Sequence, residues 1–228
     1  MAARAGPRVF AELATEAGAS LAGLPPDSHR RRYSEDIRLS LRPRPPSSLQ
    51  EHTLSFIIGY DPITLREEVD LLAAGERLAE LGDLRSLAAL NEKVALLRLV
   101  GRLDEAWEIA NEALRQSRFT GNREQAVASR IRRAQVLQFQ GKLDDAASEL
   151  THCILDSEVH EWTRLAAYAR QHRGKVYFDQ KNFDGALVDF TAAVFLREKD
   201  GADADEIDSS LLAVAVVESH IAARGPQS

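Results

Sequence analysis

A six-residue string recurs three times in this chain at a fixed spacing of 40 residues. The strings are GRLDEA from Gly101, GKLDDA from Gly141 and KNFDGA from Lys181. Apolar residues at three- and four-residue spacing precede and follow each string, which is the pattern of amphipathic helices. Self-similarity at such a period is typical of stacked structural repeats. The pattern therefore predicts three helical hairpins, packed one after another along the chain.

The string suits a turn between two helices. Gly101 and Gly141 predict a left-handed end for the first helix, and Asp104 or Asp144 can cap the second. The alanine that closes each string lets two helices approach closely. The positions that align in the second helices are expected to be buried: Ala106, Ala110 and Ala113; Ala146, Leu150 and Cys153; Ala186, Phe190 and Ala193.

This turn between two helices resembles the central signature of the tetratricopeptide repeat family, over about residues 84–197. The preceding helices fit as well, with Val94, Ala134 and Gly174 at the family's small position. The 40-residue period exceeds the usual repeat of about 34 residues, as in the long-repeat members of the family. The resemblance implies an all-α, right-handed solenoid of helical hairpins, with repeats at about residues 84–119, 123–158 and 162–197, flanking helices at about 64–81 and 207–223, and a partly irregular N-terminal arm.

Residues 1–60 form this arm, and residues 61–228 form the repeat domain. Residues 8–22 have the spacing of a short amphipathic helix, whereas residues 25–46 hold five of the eight prolines and cannot form one regular helix. The segment HTLSFIIGY, at residues 52–60, has a β-branched and aromatic character and precedes the turn-forming pair Asp61-Pro62. It is either a short strand or packed coil.

The net charge of −6 is unevenly distributed. Residues 1–50 carry eight arginines and five acidic residues, a balance of +3, which leaves −9 for the rest. An acidic repeat domain makes nucleic-acid binding unlikely on electrostatic grounds. The arginines at positions 30–32, 38, 42 and 44 leave nucleic-acid association through the arm as the weakest alternative. A related hypothesis is that residues 25–50 lie against the acidic domain until a partner displaces them.

The chain has no run of eighteen uncharged apolar residues and no uninterrupted apolar core near its N-terminus. Its one cysteine, Cys153, cannot form an internal disulfide, which agrees with a reducing compartment. These features predict a cytoplasmic protein without membrane association. His152, Cys153 and His160 match no tetrahedral metal template, so we expect a packing role for Cys153 and no metal or other cofactor.

No phosphate-binding glycine loop, nucleophile elbow or paired-histidine metalloprotease motif occurs in the sequence, so we do not predict an enzyme. His172 is expected to be solvent-exposed rather than catalytic. In the tetratricopeptide repeat family, ligands lie in a concave groove lined by the first helix of each unit. The resemblance implies the following groove residues for peptide or protein binding: Asn91 and Arg98 in the first unit, Gln135, Gln138 and Phe139 in the second, and Tyr168, Gln171, Lys175 and Phe178 in the third.

Side-chain amides can hydrogen-bond an extended backbone, and aromatic residues can form apolar pockets. The pattern by which one subclass of the family clamps a terminal carboxylate is missing, although Arg98, Arg132 and Lys175 could receive an acidic ligand. The resemblance thus implies a non-enzymatic adaptor or regulatory module that binds a protein or peptide. The alternative is a regulatory sensor whose helical stack responds to a small molecule or peptide. Homo-oligomers are compatible with either function, and the sequence does not identify the partner.

Overall fold

A computed structural model of the chain describes residues 56–120 and 122–224. The helix predicted for residues 8–22, the arginine-bearing segment and its hypothetical contact with the repeat domain all lie outside these residues. The described part is predominantly helical, with a small two-stranded sheet before eight helices. In chain order its elements are β1 (Ile57–Tyr60), β2 (Glu67–Val69), α1 (Leu71–Leu81), α2 (Leu87–Leu99), α3 (Leu103–Phe119), α4 (Arg123–Phe139), α5 (Leu143–Val159), α6 (Thr163–Asp179), α7 (Phe183–Asp200) and α8 (Ala204–Arg224).

Six of these helices form three hairpins, α2–α3, α4–α5 and α6–α7, at the positions of the predicted repeats. The backbone between the paired helices is left-handed, with φ of 80° at Gly101, 77° at Gly141 and 61° at Lys181. The predicted left-handed turns are therefore confirmed at both glycines. Lys181 adopts the same conformation without the steric freedom that makes glycine the usual residue there.

The predicted aspartate caps are wrong in the first two units. Asp104 and Asp144 lie inside the first turns of α3 and α5, and neither helix has a side-chain cap at its N-terminus. These helices begin one residue before the aspartates, so the carboxylates favour the helix through its dipole instead of through a capping bond. In the third unit Asn182 caps α7, and its side-chain oxygen accepts from the Gly185 N–H at 3.1 Å.

The aligned positions of the second helices are buried, as predicted. None of the nine is more than 1% exposed: Ala106, Ala110, Ala113, Ala146, Leu150, Cys153, Ala186, Phe190 and Ala193. Burial raises the pKa of the Cys153 thiol to about 12, so this cysteine is a protonated packing residue at neutral pH. Within the described ranges, no group of three or more histidine, cysteine or acidic side chains could hold a metal ion.

The two helices of each unit have complementary residue sizes at one pair of core positions. From the first unit to the third, the residue on the first helix becomes smaller and its partner on the second helix becomes larger. The pairs are Val94 with Ala110, Ala134 with Leu150, and Gly174 with Phe190. In the third unit the fit is tight, because a Cβ added to Gly174 would lie 2.7 Å from Cε1 of Phe190.

Gly174→Ala is therefore expected to lower the free energy of unfolding by about 1–3 kcal/mol, since the added methyl overpacks the core. Gly75→Ala in α1 is the matched control, because a Cβ there meets no atom within 4 Å. That change should be neutral, or stabilising by up to about 1 kcal/mol, because alanine is the better helix former. Urea unfolding followed by circular dichroism measures both. Equal effects of the two substitutions would contradict the packing argument.

The N-terminal flanking helix predicted for residues 64–81 is wrong over its first seven residues. The helix begins at Leu71, after Asp70 accepts hydrogen bonds at 3.1 Å from the N–H groups of Leu72 and Ala73. The residues before the cap form β2, which pairs antiparallel with β1. We call residues 57–69 the N-terminal hairpin. It contains the predicted boundary between residues 60 and 61. Its first strand, Ile57–Tyr60, confirms the strand alternative for the described part of the segment 52–60, whose residues 52–55 lie outside the described residues.

The C-terminal flanking helix predicted for residues 207–223 is present as α8, which packs on α7. Within residues 56–120 and 122–224, no helix is both long and apolar enough to cross a membrane.

The first helices of the three units lie side by side, with α2 next to α4 and α4 next to α6. Polar side chains bridge them, because Ser129 donates to Asn91 at 3.2 Å and Gln135 donates to the Tyr168 hydroxyl at 2.8 Å. We call the surface that carries Arg98 of α2, Phe139 of α4 and Lys175 of α6 the first-helix face.

Candidate binding face

The first-helix face holds the N-terminal hairpin of the same chain. The loop of this hairpin is shaped by Asp61, whose carboxylate accepts from the Ile63 N–H at 2.8 Å and from the Thr64 hydroxyl at 2.6 Å. The backbone N–H of Asp61 donates to the Arg66 carbonyl at 2.9 Å and closes the loop. The closed loop brings residues 65–67 to the face.

The Glu67 carboxylate lies between cations from two different units. Its Oε1 accepts from Nζ of Lys175 at 3.0 Å, and its Oε2 accepts from Nη1 of Arg98 at 3.1 Å. All three side chains are less than one-tenth exposed. Burial raises the pKa of Glu67, but the charges of Lys175 and Arg98 outweigh burial and hold it well below its usual range. The carboxylate is therefore ionised, and its pairing compensates for the burial of three charges.

Arg66 extends the contact across the second and third units. Its Nη2 donates to Asp179 at 2.5 Å, and the same Asp179 oxygen accepts from Gln138 at 2.7 Å. The guanidinium carbon of Arg66 lies 4.3 Å from the centre of the Phe139 ring, and that of Arg98 lies 4.6 Å from it. Phe139 thus makes cation–π contacts with one arginine of the hairpin and one of the first unit.

Leu65 and Tyr60 provide the apolar and aromatic contacts of the hairpin. Leu65 is 3% exposed and packs in a cluster with Phe178, although its φ of 54° is in the left-handed region that leucine rarely adopts. Such a conformation costs on the order of 1–3 kcal/mol, and packing of the side chain offsets it. The Tyr60 ring lies 5.3 Å from Nζ of Lys175, and burial together with the Glu67 charge raises its pKa to about 12.

The nine residues selected from the sequence differ in what they contact. The first group pairs with the hairpin or with residues that hold it: Arg98, Gln138, Phe139 and Lys175. A second group makes hydrogen bonds between neighbouring first helices: Asn91, Gln135 and Tyr168.

The remaining two selected residues, Gln171 and Phe178, contact α8. Gln171 accepts from the Ser210 hydroxyl at 2.6 Å, and the Phe178 ring lies 5.3 Å from the His220 ring. Phe178 also meets Leu65 in the apolar cluster described above. This end of the first-helix face is therefore shared between the N-terminal hairpin and the C-terminal helix.

The expectation that His172 is solvent-exposed is wrong, because its exposed fraction is 6%. α6 packs against α4, α5 and α7, and every residue from 169 to 176 on it is buried. Burial and the positive charge of Lys175 lower the pKa of His172 well below its usual range, so the imidazole is neutral. Its ring packs edge-on against Tyr168, with 4.5 Å between the centres.

The hairpin side of the contact was missed by the sequence analysis. The missed residues are Tyr60, Leu65, Arg66 and Glu67, together with Asp179 on α6. One signal for them exists, because IIGY and EEV flank the turn-forming pair Asp61-Pro62 as two short strands would. It is weak, since the second run is only three residues long and merges with the helical spacing that follows.

Among known proteins, no family model matches the chain, and no curated protein matches it either. The resemblance to the tetratricopeptide repeat family therefore rests on the repeated turn signature.

Proposed function

We propose that this chain is a non-enzymatic interaction module of the tetratricopeptide kind. In this proposal its three helical hairpins form a right-handed solenoid, and the first-helix face is a concave groove that binds a peptide or protein segment. The supporting observation is that this face already holds a short looped segment, residues 60–67 of the same chain. A surface with contacts for one such segment has the chemistry to bind another.

The contacts on the face are those of peptide recognition. Arg98 and Lys175 pair with a carboxylate, Phe139 stacks with guanidinium groups, and Gln138 donates a side-chain hydrogen bond. These contacts come from all three units, so a ligand would need the complete repeat array. The ionised groups of the face are engaged with one another, which favours binding over proton transfer. The protonated, buried Cys153 is compatible with the reducing cytoplasm, which we propose as its location.

Phe139→Ala and Phe119→Ala form a matched pair that tests the proposal. Each phenylalanine is the last residue of a 17-residue helix, but Phe139 lies on the first-helix face whereas Phe119 is 90% exposed on a second helix. A partner is captured from the native lysate, identified and purified, and its affinity for each variant is measured by calorimetry. Phe139→Ala should weaken binding about tenfold, or about 1.4 kcal/mol, through the loss of an aromatic contact surface. Phe119→Ala should bind within about twofold of the wild type.

Equal affinities of the two variants for the partner would contradict the assignment of the binding face. A regulatory sensor would give a different result: thermal stabilisation by a small ligand, with no protein partner that depends on Phe139.

A further inference from the structure

Arg98 and Lys175 share one carboxylate. Among residues 56–120 and 122–224, Glu67 is the only acidic residue that forms an ion pair with either cation. If another segment replaced the hairpin and covered the face without supplying an anion, these two cations from different units would be buried without a counter-charge. Buried charges are strongly unfavourable without partners. An occupant that replaces the hairpin must therefore supply a carboxylate or an equivalent anion at this position.

The hairpin does not satisfy all the donors around it. Nε of Arg98 is buried and has no hydrogen-bond acceptor, and within the hairpin itself Nη1 of Arg66 also lacks one. Glu67 engages Arg98 through Nη1 alone, whereas a carboxylate that is free to reorient can accept from two nitrogens of one guanidinium group. Because unpaired buried N–H groups are costly, an external carboxylate has an interaction available that Glu67 does not make.

The hairpin has little regular structure of its own compared with the helices. Its strands have four and three residues and contain an irregularity between Ile57 and Gly59. In the part of the chain that the structure describes, they pair only with each other. Within residues 57–69 Leu65 is the only apolar residue that is fully buried, and its backbone is left-handed. Two-stranded hairpins have little stability of their own. Segments with so little buried surface open at a lower free energy than the packed body of a protein.

We propose that the N-terminal hairpin is a tethered occupant of the first-helix face, and that the external ligand is an acidic peptide. This inference rests on the proposed function. The peptide presents an aliphatic side chain and, two positions later, a glutamate, as Leu65 and Glu67 do. Its carboxylate takes the position between Arg98 and Lys175, and its aliphatic side chain takes the position beside Phe178.

Tethering gives the hairpin a high effective concentration, so it competes with the peptide even though it is an imperfect ligand. The hairpin leaves the face by moving about its connection to α1 at Asp70, and the repeats stay folded. The apparent affinity for an external ligand is then reduced by the fraction of molecules in which the face is occupied.

The experiment uses the full chain and a fluorescein-labelled peptide, YDPITLRE, which copies residues 60–67 and is amidated at its C-terminus so that the glutamate side chain is its only carboxylate at that end. Fluorescence anisotropy measures its affinity for the wild type, for Glu67→Gln and for Glu68→Gln. The last variant is the matched control, because Glu68 is the exposed neighbour of Glu67 on the same strand. Glu67→Gln should bind the peptide about tenfold or more tightly than the wild type, the change that corresponds to about 1.4 kcal/mol. Glu68→Gln should match the wild type.

A second peptide, in which the final glutamate is glutamine, tests the carboxylate itself. The Glu67→Gln chain should bind it about tenfold more weakly than it binds YDPITLRE, because the cations again lack an anion. The proposal is overturned if Glu67→Gln binds YDPITLRE no more tightly than Glu68→Gln does. Equal affinities of the two peptides for the Glu67→Gln chain would overturn it as well.

Hydrogen exchange on the wild type is a second measurement that needs no variant. The N–H group of Asp61 donates to the Arg66 carbonyl within the hairpin, and the N–H group of Asp70 donates to the Phe56 carbonyl next to the ends of its two strands. Millimolar YDPITLRE should accelerate their exchange, while amides of α4 and α6 exchange no faster than before. Unchanged exchange at Asp61 and Asp70 while the peptide is bound would show that peptide and hairpin do not compete.

Failure of this inference can be distinguished from failure of the proposed function. If the partner depends on Phe139 but Glu67→Gln gains no affinity for the peptide, only the tethered hairpin is excluded. If Glu67→Gln gains that affinity and the partner binds both phenylalanine variants alike, the hairpin inference stands and the partner docks elsewhere.

Discussion

Asp189→Asn is expected to lower the free energy of unfolding by about 3–5 kcal/mol. Asp189 lies on α7, is 1% exposed, and accepts from Arg173 at 2.7 and 2.8 Å and from Arg170 at 3.2 Å. Asparagine keeps the shape of the side chain but removes the only negative charge that pairs with Arg173 among the described residues. Arg170 retains Glu158 at 2.5 Å, whereas Arg173 retains the Thr151 hydroxyl as its hydrogen-bond acceptor. A buried guanidinium group then lacks a counter-charge.

Asp156→Asn is the matched control. Asp156 also lies on a second helix and pairs with an arginine, Arg130, at 2.8 Å, but its side chain is 50% exposed. Exposed pairs contribute at most about 1 kcal/mol, because water and salt screen them. For a chain of this size about 1 kcal/mol shifts the melting temperature by roughly 2–4 °C. The melting temperature, measured by thermal unfolding, should therefore fall by about 6–20 °C for Asp189→Asn and by less than about 4 °C for Asp156→Asn. Equal shifts would contradict the conclusion that the burial of Asp189 and Arg173 makes the loss of their ion pair costly.

The ionic cluster is itself part of the repeat. Arg133 of the second unit pairs with Glu149 at 2.6 Å, and these two residues lie 40 positions before Arg173 and Asp189. A basic residue on the first helix thus faces an acidic residue on the second helix in both units. The cluster in the third unit is more deeply buried, since the side chains of Arg173 and Arg133 are 3% and 24% exposed. Removal of the acidic partner is therefore expected to cost more stability in the third unit than in the second.

The repeat could be predicted from the sequence because its evidence is local and occurs three times. The turn residue and the alanine that closes the string occur at the same spacing in every unit. The 40-residue period therefore indicates which positions of the second helices are equivalent and buried. The N-terminal hairpin lacks this advantage. Its main contact joins Glu67 to Lys175 across a sequence separation of 108 residues. No periodicity indicates such a contact, and a three-residue strand is too short to interrupt the helical spacing around it.

The same holds for the first-helix face, where the positions of residues follow from local sequence but their burial depends on distant residues. Alignment of the units places Arg98, Gln138 and Lys175 on equivalent first helices, but it does not indicate whether they are buried. All three are buried, because the hairpin and the adjacent helices supply partners for their polar groups. Burial of a polar residue depends on its partner, and here the partners come from distant parts of the chain.

Phe190→Ala is expected to cost about 3–5 kcal/mol, because a fully buried aromatic ring is removed and a cavity is left in the third unit. Phe190 has no exposed surface and packs against Gly174. Phe119→Ala is the control for the change of side chain, since Phe119 is 90% exposed and its removal should change stability by no more than about 0.5 kcal/mol. Urea unfolding of both variants measures the difference, and comparable losses would place Phe190 outside the core.

The Phe190→Ala background also reverses the expected effect of Gly174→Ala. In the wild type the added Cβ meets the ring at 2.7 Å and destabilises the protein. Without the ring the methyl enters the cavity, and alanine gains about 0.5–1 kcal/mol over glycine within a helix. The double variant should therefore be more stable than Phe190→Ala alone, and the effects of Gly174→Ala in the two backgrounds should differ by a coupling energy of about 1.5–4 kcal/mol. A destabilising effect of Gly174→Ala in both backgrounds would contradict this explanation. The size of Phe190 could then not be the reason why the third unit carries glycine where the other two carry valine and alanine.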